Sequence, residues 1–295
     1  MTLSQQFSPG ISVLMSVYAK ERPEYLASAL DSLYRQSRPA EQVVLVCDGA
    51  LTPELDAVIQ HFGAVLPLSV LRLPANVGLS HALNAGLPLC EREWVARFDS
   101  DDICEENRFA RQLEYADTHP EVDVFGAYIL EFATDGAVPD LIRVVKQTHD
   151  EIVDAARFRN PLNHVTVMFR TAVVVNAGGY PHDIQNEDYA LWFHLMSEGF
   201  RFANIPEPLV RVRAGVDMAS RRGGWFYLVA EFKLQSRFRQ LGFIDTPVFL
   251  FNLALRVAIR LSPNSLRRHV YTQFLRVRSR ASVPDRASAS KPVSK

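Results

Sequence analysis

Trp94-Val95-Ala96-Arg97-Phe98-Asp99-Ser100-Asp101-Asp102 is a hydrophobic run that breaks into three carboxylates within four residues. The first part reads as a buried strand and the second as the loop it enters. Like charges this close repel, and burial would raise their pKa values. A hard divalent cation such as Mg²⁺ or Mn²⁺ removes that conflict and keeps coordination positions open for phosphate oxygens. Arg97, just upstream, can pair with one of the acids. The same acids also suit the start of a following helix, with Ser or Asp as its cap before Glu105-Glu106.

Upstream, the same grammar repeats. Residues 11–17 (ISVLMSV), 43–47 (VVLVC) and 68–73 are short β-branched or apolar runs that predict strands. Pro23 opens a helix on which Leu26, Ala29, Leu30, Leu33 and Tyr34 share one face. Strands alternating with helices indicate parallel βαβ units, whose ligands bind beyond the carboxyl ends of the strands. Asp48, after the second strand, and Asp99 to Asp102, after the fourth, occupy such positions. Downstream, residues 122–129 and 165–170 predict strands, and residues 189–198 a helix stopped by Gly199. No linker composition appears before about residue 215, so residues 8–215 are expected to form one domain.

Composition bounds the rest. The chain has 295 residues, 48% hydrophobic and 22% charged, enough for a substantial core. Cys47, Cys90 and Cys104 show no paired spacing, which points to reduced thiols rather than a disulfide or zinc framework. Residues 1–10 lack the basic-then-apolar pattern of a signal peptide. The net charge of −1 hides an asymmetry: residues 246–295 carry ten Lys/Arg against Asp285 alone, so they hold +9 and residues 1–245 hold −10. A basic tail on an acidic body predicts a negatively charged surface as partner. Residues 281–295, rich in Ser, Ala and Pro, predict a disordered tail.

Four ordered blocks make the chain resemble the inverting glycosyltransferases of family 2, with a GT-A fold. They are Ser12 to Tyr18 with Glu24-Tyr25-Leu26; Val44-Leu45-Val46-Cys47-Asp48-Gly49; Asn76-Val77-Gly78 and Leu83-Asn84-Ala85-Gly86 through Asp102; and Gly178-Gly179-Tyr180, Glu187-Asp188-Tyr189-Ala190-Leu191-Trp192 and Pro206-Glu207-Pro208-Leu209. Each is weak alone; the ordered set is specific. The resemblance implies an α/β fold with a Rossmann-like, mostly parallel central sheet flanked by helices, and a helical C-terminal extension. It implies donor-binding roles for Ser16, Tyr18 (against the nucleobase), Asp48 (accepting from a uracil ring), Asn84 and Asp99. It implies Asp101 as the ligand of Mn²⁺ or Mg²⁺ and Asp188 as the base that deprotonates the acceptor hydroxyl. Asp102, Glu187, His164 and Arg211 are further candidates. Asp102 also fits a helix cap, Glu187 a helix start, and His164 a structural histidine. Cys47 stands where the family usually has the first Asp of an Asp-Asp-Gly turn, and Ala19 where Asn is common. Arg211 and Arg213 stand where many relatives have Arg followed by His.

Residues 249–261 (FLFNLALRVAIRL) are apolar except Asn252, Arg256 and Arg260, which are four apart and form one polar stripe. The run is too short to span a bilayer. It fits a helix lying in a membrane interface, or one packed on the catalytic domain. Arg267, Arg268, Arg276, Arg278 and Arg280 would add attraction to anionic lipid. Residues 216–280 are therefore expected to be a helical, membrane-associating extension. Arg221 to Trp225 and Leu261 to Arg267 resemble amylovoran-type exopolysaccharide glycosyltransferases, which implies a nucleotide-sugar donor, a UDP-sugar by the uracil contact. It also implies a lipid-linked saccharide acceptor and a peripheral position on the cytoplasmic face of the inner membrane. Nucleic acid is not expected as a partner, given the acidic body and the apolar content of the tail. A nucleotidyltransferase would show a Gly-rich first loop, and Ser16-Val17-Tyr18-Ala19-Lys20 has no glycine. A non-catalytic assembly protein would leave Asp99, Asp101 and Asp188 unconstrained.

Overall fold

The computed structural model describes residues 7–132, 141–182, 186–213, 225–261 and 276–278. Strand β1 (Ser8–Val17) lies between β2 (Gln42–Cys47) and β4 (Arg92–Arg97), and β2 pairs in turn with β3 (Leu68–Arg72), all in parallel. The crossovers are helices α1 (Pro23–Tyr34), α2 (Pro53–Phe62) and α3 (Leu79–Gly86). This is the half whose sequence alternates apolar runs with helical periodicity.

Beyond β4 the sheet turns mixed. β8 (Met168–Arg170) pairs antiparallel with β4 and with β6 (Val124–Phe132). β6 also pairs antiparallel with β7 (Leu141–Arg143) and parallel with β9 (Phe202–Arg213). β9 in turn pairs antiparallel with the two-residue β5 (Ile103–Cys104). Helices α4 (Arg108–Thr118), α5 (His149–Ala156), α6 (Thr171–Asn176), α7 (Glu187–Ser197), α8 (Trp225–Gln240) and α9 (Thr246–Leu261) complete the layers.

Two apolar clusters cover the two faces of the sheet, and the strand alternation assigns residues to them. Ile11, Val13, Met15 and Val17 face the cluster under α1, α2 and α4, whereas Leu14 faces the cluster with α3, α5, α6 and α7. Val43 and Leu45 go with the first set, Val44 and Val46 with the second. Fully burying such a side chain stabilises the fold by roughly 1.5–3 kcal/mol. Gly86 lets α3 lie close on β1 and β2: a Cβ there would stand 2.6 Å from Val46 Cγ2 and 2.7 Å from Leu14 Cδ1.

Several expectations need correction. Tyr34 is exposed and off the buried face of α1. Residues 165–170 are not one strand. His164 to Thr166 form a single 3₁₀ turn, and only Met168 to Arg170 pair in the sheet. The reason is Thr166, whose hydroxyl accepts from Ala127 N (2.8 Å) and donates to Asn163 O (2.8 Å), holding the turn closed. Residues 276–278, expected within a helical extension, form a strand, β10 (Arg276–Arg278), antiparallel to β7. Arg267, Arg268, Arg280 and residues 281–295 lie outside the described residues. The three cysteines are free and buried, and burial pushes the Cys90 thiol up to about 12.

Helices α8 and α9 belong to the second apolar cluster. Phe238 stacks on Phe193 of α7 at 3.7 Å between ring centroids, and Leu234, Ile244 and Phe249 join it. Among the described residues no helix is long and apolar enough to cross a membrane.

Candidate active site

The carboxyl ends of β1, β2 and β4 converge at one edge, because these strands are parallel and in register. Ser16 lies one residue from the end of β1, opposite Val46, and Tyr18 follows it with its ring largely exposed. Asp48 follows β2 and is buried, with its amide donating to Val17 O at 2.8 Å. Its carboxylate accepts from Val77 N (2.7 Å) and Gly78 N (3.0 Å), so it shapes the loop that leads into α3. Gly49 is required beside it. Its φ is +88°, and a Cβ would sit 2.7 Å from Asn76 N. Asp48 is therefore more than a turn residue: it holds two loops together at the strand ends.

Asp99, Asp101 and Asp102 follow β4, and one carboxylate oxygen from each lies within 4.8 Å of the others. The helix-cap reading fails, because β5 intervenes and α4 begins only at Arg108. Instead, a frame of hydrogen bonds fixes the loop. Arg108, wholly buried, donates to Arg97 O at 2.8 Å, and Ser100 Oγ donates to Glu21 Oε2 at 2.6 Å. Arg213 closes the other side: its backbone N donates to Asp102 Oδ1 (3.0 Å) and its Nε to Asp101 O (2.7 Å).

The charge of this loop is compensated only in part. Burial, then Asp99, then Glu21 push the Asp101 carboxyl up to about 6. Burial, then Asp99 and Asp101, raise Asp102 well above the usual carboxylate range. Crowded carboxylate oxygens with raised pKa values are a donor set that suits a hard divalent cation, which would relieve the repulsion. Asp99 already has a cation: Arg97 Nη1 stands 2.5 Å from its Oδ2.

Arg97 ties this loop to a second acidic pair. Its side chain is 2% exposed, and Nε and Nη1 make no hydrogen bond of good geometry. Its charge reaches Asp99, Tyr180 and Glu187, and also His164 and Asp188. Glu187 and Asp188 form the first turn of α7, whose N-cap Asn186 adopts φ +65°. Burial raises the pKa of both, and Glu187 feels Asp99 as well. Asp188 Oδ2 accepts from Asn160 Nδ2 at 2.6 Å, which orients it. The acids after β4 and the α7 acids are thus electrostatic neighbours across one buried arginine.

Other candidates land in supporting places. Asn84 uses both ends of its amide on the backbone of Tyr180: Nδ2 donates to Tyr180 O and Oδ1 accepts from Tyr180 N, each at 2.7 Å. It clamps the Gly178-Gly179-Tyr180 turn to α3. His164 Nε2 lies 3.2 Å from Tyr180 Oη, and its ring packs edge-on to Trp192. Burial, then Arg97, drive its pKa well down, so it is neutral. Arg211 lies over the Phe132 ring and senses Glu105. Arg213 is the arginine of that pair that touches the acidic loop. The site-forming residues that sequence patterns did not single out are Glu21, Arg108 and Asn160. Glu21 and Asn160 act through partners 79 and 28 residues away, which no local spacing signals.

Comparisons with known proteins agree with this geometry. The family model "Glycosyl transferase family 2" matches residues 12–176. An amylovoran biosynthesis glycosyltransferase of Erwinia amylovora is 40% identical over 263 residues, 88% of this chain and 97% of that protein. The Escherichia coli UDP-Gal:alpha-D-GlcNAc-diphosphoundecaprenol beta-1,3-galactosyltransferase is 34% identical, covering 91% of this chain and 98% of its own. Among solved structures, S. aureus TarS 1-349 in complex with UDP-GlcNAc superposes with a TM-score of 0.61. It is 19% identical and covers 77% of this chain and 66% of that one, which establishes a shared GT-A fold. With strand-end acids, sheet order and near end-to-end relatives in agreement, the chain belongs to glycosyl transferase family 2.

Proposed function

We propose that this glycosyltransferase moves a sugar from a UDP-sugar to a lipid-linked saccharide during exopolysaccharide or lipopolysaccharide synthesis, with inversion at the anomeric carbon. The observation that carries the reading is the juxtaposition of two acidic groups across Arg97: Asp99, Asp101 and Asp102 on one side, Glu187 and Asp188 on the other. The donor and acceptor classes are supported by the E. coli relative, which uses UDP-Gal and a diphosphoundecaprenol-linked sugar, and by the UDP-GlcNAc held by TarS. The work place is the cytoplasmic face of the inner membrane, where such acceptors are held.

In this reading the uracil ring lies against Tyr18. A carboxylate has about four lone-pair sites, so Asp48 keeps acceptor capacity beyond its two loop amides. Asp99 orients the ribose and sugar region. Asp101, with Asp102 beside it, would hold Mn²⁺ or Mg²⁺. The bound ion supplies charge neutralisation for the departing diphosphate. Asp188 takes the proton of the acceptor hydroxyl as that oxygen bonds to C1, and UDP leaves from the opposite face with the electron pair of the broken C–O bond. Burial makes Asp188 a stronger base than a surface aspartate. No side chain forms a bond to the sugar.

The test is transfer from a panel of UDP-sugars to a short-chain GlcNAc-diphosphate lipid, with anomeric configuration read by NMR. Asp188→Asn should bind UDP as wild type and fail to transfer. Collapse of UDP binding in that variant would remove Asp188 from the role of base. Full transfer by Asp101→Ala would remove the metal assignment, and retention of configuration would remove the single displacement.

A further inference from the structure

Helix α9 buries polar side chains and leaves an apolar face in water. Asn252, one of the polar residues in its sequence, is buried, donating to Arg157 O at 2.8 Å and to Gln235 Oε1 at 2.9 Å. Arg256, one turn on, donates to Phe158 O at 2.8 Å and pairs with the buried Glu231 of α8 at 2.8 Å. Asn252 and Arg256 therefore point into the protein beside Phe249 and Leu253, and a separate set of apolar residues points out. Leu250 and Phe251 are each 57% exposed, and Ala254, Leu255 and Ala258 continue the same face at helical spacing. Phe232 of α8 and Phe158 flank it, 53% and 46% exposed, with Phe158 edge-on to Phe251.

A helix on a water-facing surface normally does the reverse. A contiguous apolar surface of this kind marks an interaction site. Charge identifies the occupant. The exposed charged side chains on α8 are Lys233, Arg237 and Arg239, all basic, and Arg239 lies against Phe249 next to Leu250. The sequence from 246 onward carries ten basic residues and one acid. An outward apolar face next to a helix whose exposed charged side chains are basic matches the interface of an anionic bilayer, where the apolar face enters the acyl boundary and basic groups meet headgroup phosphates. At 16 residues α9 is too short to span it.

We infer that the outward face of α9, with Phe158 and Phe232, is a docking surface that lays the protein on an anionic lipid bilayer. The buried polar stripe sets the orientation, because Asn252 and Arg256 hold the helix rolled apolar side out. This rests on the proposed function only for its purpose, access to a lipid-linked acceptor; the binding itself needs neither donor nor acceptor.

The test is sedimentation of the full chain with vesicles of phosphatidylglycerol and phosphatidylethanolamine, and with phosphatidylcholine alone. Wild type should partition to the anionic vesicles, with at least tenfold weaker partition to neutral ones. The double variant Phe251→Gln/Leu255→Gln should lose partition at least tenfold while keeping its melting temperature, since both side chains already meet water. Wild type that stays in the supernatant, or a double variant that binds like wild type, overturns the inference. So does a concentration-dependent dimer that the double variant abolishes without any vesicle binding, because the face would then belong to a second copy. UDP-sugar turnover on a water-soluble acceptor should be the same in both proteins. Failure of turnover in both would break the proposed function and leave the vesicle result standing.

Discussion

The acidic loop after β4 and the α8–α9 pair break the same rule in opposite ways. The loop crowds three carboxylates and buries Asp102, although burial opposes its charge. The helix pair buries amide and ion-pair groups while leaving Leu250, Phe251 and Phe232 outside. The supports also differ. The loop is braced by Arg108, Arg213 and Glu21 and carries three carboxylates against the one ion pair of Asp99 with Arg97. In the helix pair each named polar group has a partner, and the cost lies in apolar surface left in water. Local rules fail where a site must meet something not yet bound. On the two proposals above, a cation would complete one region and an apolar phase the other.

The comparison can be broken most sharply at the acids. Asp188→Asn should lower transfer by about 10²–10⁴-fold, the usual weight of a positioned base, with UDP affinity unchanged by calorimetry. Arg97→Met should follow in size. It removes the one buried cation that Asp99, Glu187 and Asp188 share, and a destabilisation of about 3–5 kcal/mol is expected in urea unfolding. A shift under 1 kcal/mol would mean that the acids are neutralised some other way.

On the helix pair, Asn252→Leu should cost about 1–3 kcal/mol, because Gln235 and the Arg157 carbonyl would be left buried without a donor. An unchanged urea midpoint would show that the polar stripe does not fix how α9 is rolled. A smaller effect is expected from pH at the loop. Asp101 in the folded chain has its pKa raised to about 6, against about 4 when unfolded. The folded state therefore binds that proton more tightly. Ionising Asp101 costs stability, and the cost grows from about pH 4 and is complete above about pH 6. A divalent cation offsets it only once the carboxylate is ionised. The rise in melting temperature caused by Mn²⁺ should thus be full at neutral pH and fade as pH falls through about 6. The smallest effect is assigned to the outward face: Leu255→Gln should change stability by no more than about 0.5 kcal/mol.

Much of the fold was legible because its first half is built locally. Residues 11–17, 43–47, 68–73 and 94–98 are mostly apolar runs separated by helices, the pattern that parallel strands buried on both faces produce. The second half was harder to read. β5 is two residues long, β9 pairs with both β5 and β6, and residues 164–166 turn because of one threonine hydroxyl. In the site, the acids were visible because their clustering is local. Asn160 and Glu21, and the contact of Arg213 with the acidic loop, were not, because the partners lie 28 to 112 residues away. Asn84 was visible as a motif residue, yet its task, a two-ended clamp on Tyr180, appears only when α3 meets the turn before α7.

The polar stripe of residues 252 and 256 makes the same point. Helical periodicity alone determined that Asn252 and Arg256 share one face of the helix and that Leu250, Phe251 and Ala254 lie away from it. It left open which face meets the protein, and membrane contact and packing looked like alternatives. The tertiary structure places the polar face inward because Glu231, Gln235 and two backbone carbonyls offer it partners there. Periodicity fixes relative orientation within a helix, whereas partners distant in sequence set its absolute roll. In the same way the sequence determined that Asp99, Asp101 and Asp102 end a buried strand. Only the fold decided that Arg97 joins them to Glu187 and Asp188, because that meeting needs the sheet to bring β4 and α7 together.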